Sequence, residues 1–373
     1  MNPTAIILGM YGMNALGMLR SLAIEKIPTK MYHIRGKFPT AKYSKHANYF
    51  KIEKNKEALL ERLLKDGVQQ EDKGIIFATE DEHVLFCSEN YEELEKYYDV
   101  PKIIGKEMID CLNKKNILQF GVAAGFNVPK TYTLSEFSGQ IDAPIVVKPI
   151  NSLKYGKSAM EIYHDIDALI NKRSELLNVY GEMVVQEYIE DYLKKSIDVQ
   201  CYNSSAGHII AGMHTSDDRM ANPFGNSEFK PLSISLKSIW KEDLVPYSAT
   251  LAKGIGFTGP LNFEVVESGG KYSFIEVNFR TSAYVYLDTM TGLNMPAIIY
   301  FDKAGKDFSG LLDRKRIVGM KMIREEREAY NLFRHKKIVK CYRNFSSGIL
   351  SHYEKGDVLP LLVLPLEILK YRL

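Results

Sequence analysis

The stretch from Lys271 to Arg280, K-Y-S-F-I-E-V-N-F-R, constrains the fold of this chain more than any other. Polar and apolar residues alternate along it as in a β-strand, and Glu276, Asn278 and Arg280 occupy every second position. Side chains two residues apart on a strand point to the same face of a sheet. The pattern therefore predicts that a carboxylate, an amide and a guanidinium project into one small volume, as in a site for a metal ion and a phosphate.

A second run with strand character, Gly259 to Val266, precedes this stretch and carries Glu264. The Gly269-Gly270 pair between the two runs predicts an antiparallel hairpin that places Glu264 beside Glu276. Two carboxylates and one amide oxygen suit Mg2+, which takes few protein ligands and fills its other positions with water and phosphate oxygens. The alternative is a solvated strand face, and the hairpin by itself does not decide between the two.

Upstream, Ala143 to Pro149 (A-P-I-V-V-K-P) has the pattern of a buried strand that ends in Lys148. Because an unpaired ammonium is costly away from water, Lys148 is expected to face a phosphate. The loop that follows is polar and basic, and it could cover a polyphosphate with lysines and backbone N–H groups. The candidate residues of this loop are Ser152, Lys154, Gly156, Lys157 and Ser158.

Two further segments have the character of nucleotide-binding elements. Met183 to Ile189 (M-V-V-Q-E-Y-I) predicts a second apolar strand, and the acidic pair Glu190-Asp191 follows it. Asn113 to Lys115 (N-K-K) opens a helical pattern that ends at Gly125.

In their order and spacing these segments resemble the ATP-grasp superfamily, from the amino terminus to about Pro296. The resemblance implies an α/β chain of the α+β ATP-grasp type. A Rossmann-like leading domain would be followed by two α+β subdomains that clamp the nucleotide. It also implies ATP and Mg2+ as cofactors.

The resemblance assigns the nucleotide contacts residue by residue. Lys148 would touch the inner phosphates, and main-chain groups of Glu187 and Ile189 would read adenine. The full expected set is Lys114, Lys148, Ser152, Lys154, Gly156, Lys157, Ser158, Gln186, Glu187, Ile189 and Asp191.

Two choices within this set stay open, and two features depart from the family pattern. Lys115 is the alternative to Lys114, and Glu190 is the alternative to Asp191 for the ribose contact. Asn113 stands where family members often carry aspartate, which weakens its role as a helix cap. The phosphate-covering loop is also poorer in glycine than many.

The remaining assignments concern the metal and the reaction. The resemblance implies that Glu264, Glu276 and Asn278 are magnesium ligands. Arg280 would steady the transferred phosphoryl group, and Arg280 and Lys148 are the expected catalytic residues.

The amino-terminal strand Ala5 to Leu8 runs into a glycine turn, G-M-Y-G-M-N-A-L-G from Gly9, and then a helical pattern. A strand, glycine turn and helix can hold an anion, so a nucleotide-sugar oxidoreductase that uses nicotinamide is an alternative function. The turn is not G-x-G-x-x-G, and no clear acidic residue ends a following strand. This alternative also leaves the lysines and acids described above unexplained.

The same turn, with A-K-Y-S-K-H from Ala41 and A-T-E-D-E from Ala78, resembles the leading domain of one ATP-grasp branch. That branch holds carboxylate-amine ligases, including D-aspartate ligase and enzymes encoded with capsule or O-antigen genes. The resemblance implies that the leading domain packs beside the ligase site and helps to hold substrate.

The branch implies an ATP-dependent ligase that forms an amide through an acyl phosphate, in surface-polysaccharide or cell-envelope synthesis. The acid would be an amino acid, as in D-aspartate ligation, or a sugar uronate, which the basic tail described below favours. Arg219 is the candidate carboxylate clamp, because its guanidinium can pair bidentately with a carboxylate. Arg280 and Ser282 are the other candidate substrate residues, with Tyr284 beside them. A catalytically silent nucleotide-binding protein is disfavoured, because no matched magnesium or phosphate residue is missing.

Composition agrees with a soluble enzyme of several cores. The chain has 373 residues, 45% of them hydrophobic, which is enough to bury more than one core.

The expected domains are 1–105, a linker helix and small subdomain at 106–188, a large subdomain at 189–312, and an extension at 313–373. The four cysteines form no C-x-x-C pair, so neither a thiolate metal site nor a disulfide framework is expected. No leader pattern opens the chain, so a cytoplasmic location is expected.

The tail is basic and ends in an apolar run. The segment from Arg314 to Arg343 contains eleven Lys or Arg and three Glu. Its local charge is therefore +8, in a chain whose net charge is +3. Solvated helix faces would explain it, and an anionic membrane or polysaccharide surface is the functional alternative. Val358 to Leu369 is too short to span a bilayer and is expected to dock on the protein's own core or on a subunit.

The resemblance implies that the protein forms a homodimer. Its substrates would be a small-molecule or glycan carboxylate and an amine, and no nucleic acid is expected as a partner.

Overall fold

The computed structural model describes residues 2–103, 111–142, 144–150, 160–189, 192–220, 232–336 and 338–370. Three β-sheets organise this part of the chain. One is parallel, one is antiparallel, and the largest is antiparallel except for one parallel pair at its edge.

The leading part of the chain is a parallel sheet with helices. Its elements are β1 (Ala5–Leu8), α1 (Gly12–Ile24), β2 (Thr29–Ile34), β3 (Phe50–Glu53), α2 (Lys56–Gly67), β4 (Gly74–Ala78), α3 (Asp81–Glu89), α4 (Tyr91–Leu94) and β5 (Tyr98–Asp99), with a 3₁₀ turn at Thr40–Tyr43. The strand order is β3-β2-β1-β4-β5. Every residue of β1 and β4 is buried, as in parallel sheets that are covered on both faces. Since β1 and β4 are parallel neighbours, the loops that follow them lie side by side at one edge of the sheet.

Gly9, which follows β1, lets these two loops approach each other. Its φ is +115° and a Cβ atom on it would lie 2.1 Å from Thr79 Oγ1, so a larger residue would not fit. The Thr79 hydroxyl donates to the Leu8 carbonyl oxygen at 2.8 Å. This glycine therefore serves close packing between the glycine turn and the A-T-E-D-E segment.

A four-stranded antiparallel sheet follows. Its elements are α5 (Leu118–Ala123), β6 (Thr131–Thr133), β7 (Ile145–Pro149), β8 (Glu161–Tyr163), α6 (Ile166–Tyr180) and β9 (Met183–Glu187). The strand order is β6-β9-β7-β8. Ile145 and Val147 share a core with Leu169 of α6, so Lys148, one position further along the strand, projects from the other face.

The third sheet is the largest and carries the acidic hairpin. Its strands are β10 (Ser196–Ser204), β11 (Gly207–Met220), β12 (Leu232–Ile239), β13 (Pro260–Ser268), β14 (Lys271–Asn278), β15 (Lys321–Ile323) and β16 (Ile349–Leu350). The accompanying helices are α7 (Tyr192–Lys195), α8 (Val245–Ile255), α9 (Val285–Met290), α10 (Met295–Lys303), α11 (Ser309–Leu312), α12 (Glu325–His335), α13 (Ile338–Ser347) and α14 (Leu359–Lys370), with a 3₁₀ turn at Glu242–Leu244. The strand order is β14-β13-β10-β11-β12-β15-β16.

One face of this sheet is apolar. Val199 of β10 and Phe263 of β13 lie in one core with Leu251 and Ile255 of α8. Because side chains alternate along a strand, the residues next to Val199 and Phe263 project from the opposite face. The sheet thus separates a core from the surface that carries the candidate site.

The segment after residue 313 adds two strands, β15 and β16, to the helices expected there. Several of its basic side chains have internal partners: Arg314 pairs with Glu25 at 2.9 Å and Lys321 with Asp217 at 2.6 Å. The guanidinium of Arg316 lies 3.9 Å from the centre of the Trp240 ring. These contacts tie the segment to the sheet and to α1, although the Arg314 side chain remains 41% exposed.

The apolar run near the carboxyl end forms α14, which packs on the 3₁₀ turn of the leading part. Leu364 and Glu367 are buried there, whereas Leu359, Leu362 and Leu366 are exposed. Docking on the protein's own core is thus observed for one side of the helix. In the residues described, no helix has the length and apolar character needed to cross a membrane.

A buried ion cluster joins α1 to the carboxyl-terminal segment. The Arg20 guanidinium pairs with Asp357 at 2.9 Å and with Glu354 at 3.0 Å, and it donates to the His352 carbonyl oxygen at 2.7 Å. Asp357 also accepts hydrogen bonds from the Ser44 hydroxyl at 2.9 Å and the Lys45 N–H at 2.8 Å. Arg20 and Asp357 are almost fully buried, so water cannot replace either partner.

We expect Asp357→Ala to destabilise the protein by about 3 kcal/mol, because it removes one partner of a buried charge. Urea unfolding followed by circular dichroism measures the change. Asp313→Ala is the matched control at an exposed aspartate, with an expected effect within about 0.5 kcal/mol. Equal losses from the two substitutions would contradict a structural role for the Arg20 cluster.

Candidate functional site

The acidic hairpin forms as the sequence predicts. β13 and β14 pair antiparallel, and Glu264 lies directly opposite Glu276. Gly269 and Gly270 close the hairpin with φ of +57° and +73°, as a two-residue type I′ turn requires. The two carboxylates therefore project from the same face of the sheet.

A β-bulge next to this pair sorts the side chains of β14 between the two faces. Strict alternation would place Phe274 on the same face as Glu276. The register shifts between Glu264 and Val265, so that Val265 pairs with Phe274 and Ile275 is the extra residue. Phe274 then lies in the core, while Glu276 keeps the opposite face, a use of bulges that is common near active sites.

Three polar residues that the sequence reasoning missed extend this face. Asp198 of β10 lies opposite Glu264, and Gln200 lies opposite Asn262. Asn262 in turn lies opposite Asn278 and accepts a hydrogen bond of 3.3 Å from its Nδ2. The signal was present in the sequence, because S-I-D-V-Q and L-N-F-E carry polar residues at every second position.

This arrangement fits a divalent cation. Asp198, Glu264 and Glu276 occupy adjacent cross-strand positions, where like charges repel each other. A bound cation would relieve this repulsion. The oxygen atoms of these carboxylates and of the Asn278 amide are the hard ligands that Mg2+ prefers, so the residues present suit that metal.

Arg280 lies two residues beyond Asn278 but is held by the leading part of the chain. Its Nε donates to Asp81 Oδ1 at 2.7 Å and its Nη2 to Asp81 Oδ2 at 3.3 Å. Nη2 is also 3.5 Å from Asn278 Oδ1, and Nη1 donates to the Thr281 carbonyl oxygen at 3.1 Å. Arg280 therefore forms a salt bridge within the protein, and its partner comes from the A-T-E-D-E segment.

The charge around Arg280 is strongly negative. Burial disfavours the charged guanidinium, but Asp81, Glu80 and Glu276 outweigh burial and raise the pKa of Arg280 above its ordinary value. Burial raises the pKa of Glu80, although Arg280 acts in the opposite direction. Arg280 and Glu276 of the largest sheet region thus interact electrostatically with Glu80 and Asp81 of the leading part.

In the small sheet, Lys148 and Gln186 lie together and are both buried. Lys148 Nζ donates to Gln186 Oε1 at 2.8 Å, and Gln186 Nε2 donates to Thr131 Oγ1 at 2.8 Å. The strand pairing Lys148↔Val184 fixes this geometry. The amide therefore orients the ammonium, whose expected phosphate contact remains a prediction.

The segment after β9 connects the small sheet to the acidic hairpin. The Glu187 N–H donates to the Lys130 carbonyl oxygen at 2.9 Å, and the Glu187 carboxylate accepts from the Lys130 N–H at 3.2 Å. The Ile189 carbonyl oxygen accepts from the Tyr192 N–H at 2.9 Å. The Tyr192 hydroxyl donates to Glu264 at 3.3 Å, so the expected adenine-reading segment and the acidic pair are joined through one tyrosine.

The helix expected to open at Asn113 begins at Leu118 instead, and Lys114 lies in the turn before it. Asn113 Oδ1 accepts from the Lys115 N–H at 2.9 Å, so the asparagine organises this turn in the way an aspartate would. Lys115 Nζ pairs with Glu136 at 2.8 Å on the surface.

Ser282 is buried and has structural partners. Its hydroxyl accepts from the Tyr284 N–H at 3.0 Å, and its N–H donates to Gln200 Oε1 at 3.2 Å. Arg219 lies on β11, opposite Ser233, and its side chain is outside the described part. The remaining candidates lie outside the described residues: Ser152, Lys154, Gly156, Lys157, Ser158, Glu190 and Asp191.

A buried His214–Asp288 ion pair extends the same row of the sheet. His214 lies opposite Asp198, and its Nε2 is 2.7 Å from Asp288 Oδ1. Gly212 makes room for this carboxylate, since a Cβ atom there would lie 1.7 Å from Asp288 Oδ1. Burial alone would lower the pKa of His214, but Asp288 outweighs burial and raises it above the ordinary value.

Two other clusters in the described residues could be taken for metal sites. They are His46, Glu354 and Asp357, and Glu325, Glu326 and His352. The first already surrounds the Arg20 guanidinium. In the second, Glu325 accepts backbone N–H groups and Glu326 holds Arg324. Each set of carboxylates therefore has its positive partner within the protein.

No protein-family model matches the chain. It is similar to the C-terminal section of the carbamoyl phosphate synthase large chain of Methanocaldococcus jannaschii, 26% identical over 217 residues, 56% of this chain and 33% of that protein. It is also 27% identical over 173 residues to the carbamoyl phosphate synthase large chain of Archaeoglobus fulgidus, 44% of this chain and 15% of that protein. The chain thus spans about a third or less of the length of these curated relatives.

Solved structures match over most of the chain. The L-amino acid ligase of Bacillus licheniformis has a TM-score of 0.59 and 14% identity, with 84% of this chain and 75% of that chain covered. The biotin carboxylase domain of the Hydrogenobacter thermophilus 2-oxoglutarate carboxylase, a dimer in complex with MgADP and bicarbonate, has a TM-score of 0.62 and 16% identity, covering 85% and 72%. The phosphoribosylglycinamide synthetase of Anaerococcus prevotii has a TM-score of 0.59 and 15% identity, covering 86% and 80%. These likenesses confirm the predicted mixed α/β fold, and with the sequence relatives they support the resemblance to the ATP-grasp superfamily.

We expect the stability of the protein to fall as the pH rises from about 6.5 through the raised pKa of His214. The protonated histidine paired with Asp288 stabilises the fold below that range, and the contribution is lost on deprotonation. Thermal unfolding in a series of buffers measures the slope. His214→Gln should flatten it, whereas His208→Gln, at an exposed histidine, should leave it unchanged. An unchanged slope in His214→Gln would rule out this pair as its source.

Proposed function

We propose that this chain is an ATP-dependent ligase that joins a carboxylate to an amine, with ATP and Mg2+ as cofactors. The observation that carries the proposal is the pairing of Glu264 with Glu276 on one sheet face, with Asn278 at the end of the same strand and Arg280 two residues beyond it. Structural neighbours that are named as a ligase, a synthetase and a carboxylase domain bound to MgADP support it.

The nucleotide would lie between the small sheet and the acidic hairpin. Lys148, oriented by Gln186, would bind the inner phosphates, and the segment from Glu187 to Ile189 would hold the adenine. Lys114 would also contact the nucleotide, with Lys115, which pairs with Glu136, as the alternative. Within the loop outside the described residues, the contacts expected of Ser152 to Ser158 belong to the same proposal.

Glu264, Glu276 and Asn278 would hold Mg2+, with Asn262 orienting the Asn278 amide. Asp198, opposite Glu264, adds negative charge to the same face. When bound, the metal supplies charge neutralisation and positioning for the outer phosphates. The tyrosine hydroxyl on Glu264, from Tyr192, would keep this ligand aligned with the nucleotide segment.

The reaction would run in two steps. A substrate carboxylate oxygen attacks the terminal phosphorus of ATP, so that the bond to the bridging oxygen breaks and acyl phosphate and ADP form. An amine then attacks the acyl carbon and expels phosphate, with loss of one proton from the nitrogen. Arg280, fixed by Asp81, would orient the transferred group and offset its charge.

We propose that the acid is a small molecule. The two candidates are an amino acid and a sugar uronate. The basic segment favoured a uronate in surface-polysaccharide synthesis or a contact with an anionic membrane. Arg314 and Lys321 pair within the protein, which weakens the argument for a uronate. An amino acid, as in the D-aspartate ligase branch, is therefore the better supported acid. The nicotinamide alternative is disfavoured, because it leaves the pairing of Glu264 with Glu276 unexplained. A homodimer is part of the proposal, and the dimeric 2-oxoglutarate carboxylase domain supports it.

We expect Glu276→Gln to lower ATP turnover by about 100-fold or more, because it removes a charged metal ligand. Phosphate release from ATP with pooled acids and amines, followed by mass spectrometry of the product, measures it. Glu175→Gln, at an exposed position of α6, is the matched control and should retain full activity. Full activity in a folded Glu276→Gln protein would remove the hairpin from the site.

Hydroxylamine offered in place of the amine should trap the acyl phosphate as a hydroxamate. Its nitrogen attacks the acyl carbon and phosphate leaves, so the product requires both ATP and the acid. Mass spectrometry detects it, and Glu276→Gln should form about 100-fold less of it. The acyl-phosphate route would be contradicted if an acid stimulated release of ADP and phosphate from ATP but no hydroxamate formed.

A further inference from the structure

The basic segment of the tail divides into two parts with different surroundings. In the first part, Arg314 pairs with Glu25 and Lys321 with Asp217. The second part, residues 329–353, contains five Lys or Arg and no Asp or Glu. Its charge of +5 is therefore not offset by any acidic residue of the same stretch.

α13 lies in this second part, and one side of the helix is held by the protein. It packs on α12 and on β15. Asn344 is buried, and its Nδ2 donates to Glu328 Oε1 of α12 at 3.0 Å. This hydrogen bond fixes which side of α13 faces the protein and which side faces outward.

The outward side of α13 is apolar, unlike an ordinary solvated helix face. Ile338, Val339 and Tyr342 are 67%, 71% and 76% exposed, which makes them the most exposed large apolar side chains of the described residues. An α-helix turns by about 100° per residue, so the three side chains share one side of the helix and Asn344 lies on the other. Single exposed apolar side chains are ordinary, whereas a group of them marks an interaction surface.

Basic residues border this apolar group. Lys336 precedes the helix and Arg343 follows Tyr342, and both basic side chains are exposed. The sequence adds Lys337 and Lys340 to the same stretch. An apolar helix face bordered by Lys and Arg is the pattern of helices that lie in the interface of an anionic bilayer. In such helices the apolar side chains enter the headgroup region, and the basic ones are attracted by the lipid phosphates.

Two other occupants fit the surface less well. A charged polysaccharide would match the basic residues but would leave Ile338 and Val339 in water. A second copy of the chain in a symmetric contact would bring the same patch of each copy together, and the charge of +5 would then face itself. An anionic lipid surface satisfies both the charge and the apolar side chains.

We propose that α13 docks this protein on an anionic phospholipid bilayer. Ile338, Val339 and Tyr342 enter the headgroup region, and Lys336 and Arg343 contact the lipid phosphates. The helix has ten residues, so it lies along the bilayer surface and does not cross it. The contact needs neither ATP nor the acidic hairpin, and the inference therefore stands apart from the proposed ligase function.

Cosedimentation of the full chain with lipid vesicles tests the surface. One set of vesicles is phosphatidylcholine alone, and the other contains about 30% phosphatidylglycerol in phosphatidylcholine. We expect the protein to bind the anionic vesicles at low salt and to stay in solution with the neutral ones. Binding should weaken by about tenfold or more when the salt concentration is raised to about 0.5 M, because salt screens the attraction.

Val339→Ser should weaken binding to the anionic vesicles by about threefold or more, because it removes apolar surface that enters the headgroup region. Val68→Ser is the matched control, since Val68 is 66% exposed on the leading part, and it should change nothing. Lys336→Gln should also weaken binding by about threefold or more. Its control is Lys253→Gln, at an exposed lysine of α8, which should bind as the unsubstituted protein does.

The inference is overturned if the protein stays in solution with anionic vesicles at low salt, or if Val339→Ser and Lys336→Gln both bind at full strength. It is also overturned if Val339→Ser leaves vesicle binding unchanged and instead dissociates an oligomer, measured by sedimentation velocity, because a second copy would then cover the surface. ATP turnover of the same variants reports separately on the proposed function, so the two failures are distinct.

Discussion

The opposition of Glu264 and Glu276 across two strands is the constraint on which the rest of the candidate site depends. Two carboxylates in facing positions destabilise a sheet, and Asp198 continues the row on the next strand. The sheet tolerates them because its other face is a well-packed core that contains Phe263 and Phe274. The bulge beside the pair allows both conditions to hold on the same short strand.

Contacts at the ends of the hairpin bring the three sheets to one place. Arg280, two residues after β14, is bound by Asp81 of the leading part. Tyr192, after the small sheet, donates to Glu264. Charged groups from separate elements that pair with each other can fix the relative orientation of those elements. The reacting end of a bound nucleotide would thus be defined by residues from all three sheets.

Local pattern was sufficient for the two hairpin strands, the Gly269-Gly270 turn and the Glu264–Glu276 pairing, because period-two alternation and turn chemistry are short-range properties. It could not show the bulge, since strict alternation placed Phe274 with Glu276, and only the register of two strands decides otherwise. The Asp81–Arg280 and Arg20–Asp357 pairs were invisible for another reason. Their partners are 199 and 337 residues apart, and no local signal links them.

Arg280 shows how the leading domain would influence the chemistry. A guanidinium has five N–H donors, and in this structure they serve Asp81 twice, Thr281 once and Asn278 weakly. A phosphoryl group would have to use the remaining donor or displace a present partner. Displacing Asn278 costs least, because that contact is the longest at 3.5 Å. Arg280 would then bridge the leading domain and the transferred group, so that movement of α3 changes the position of the charge at the reacting end.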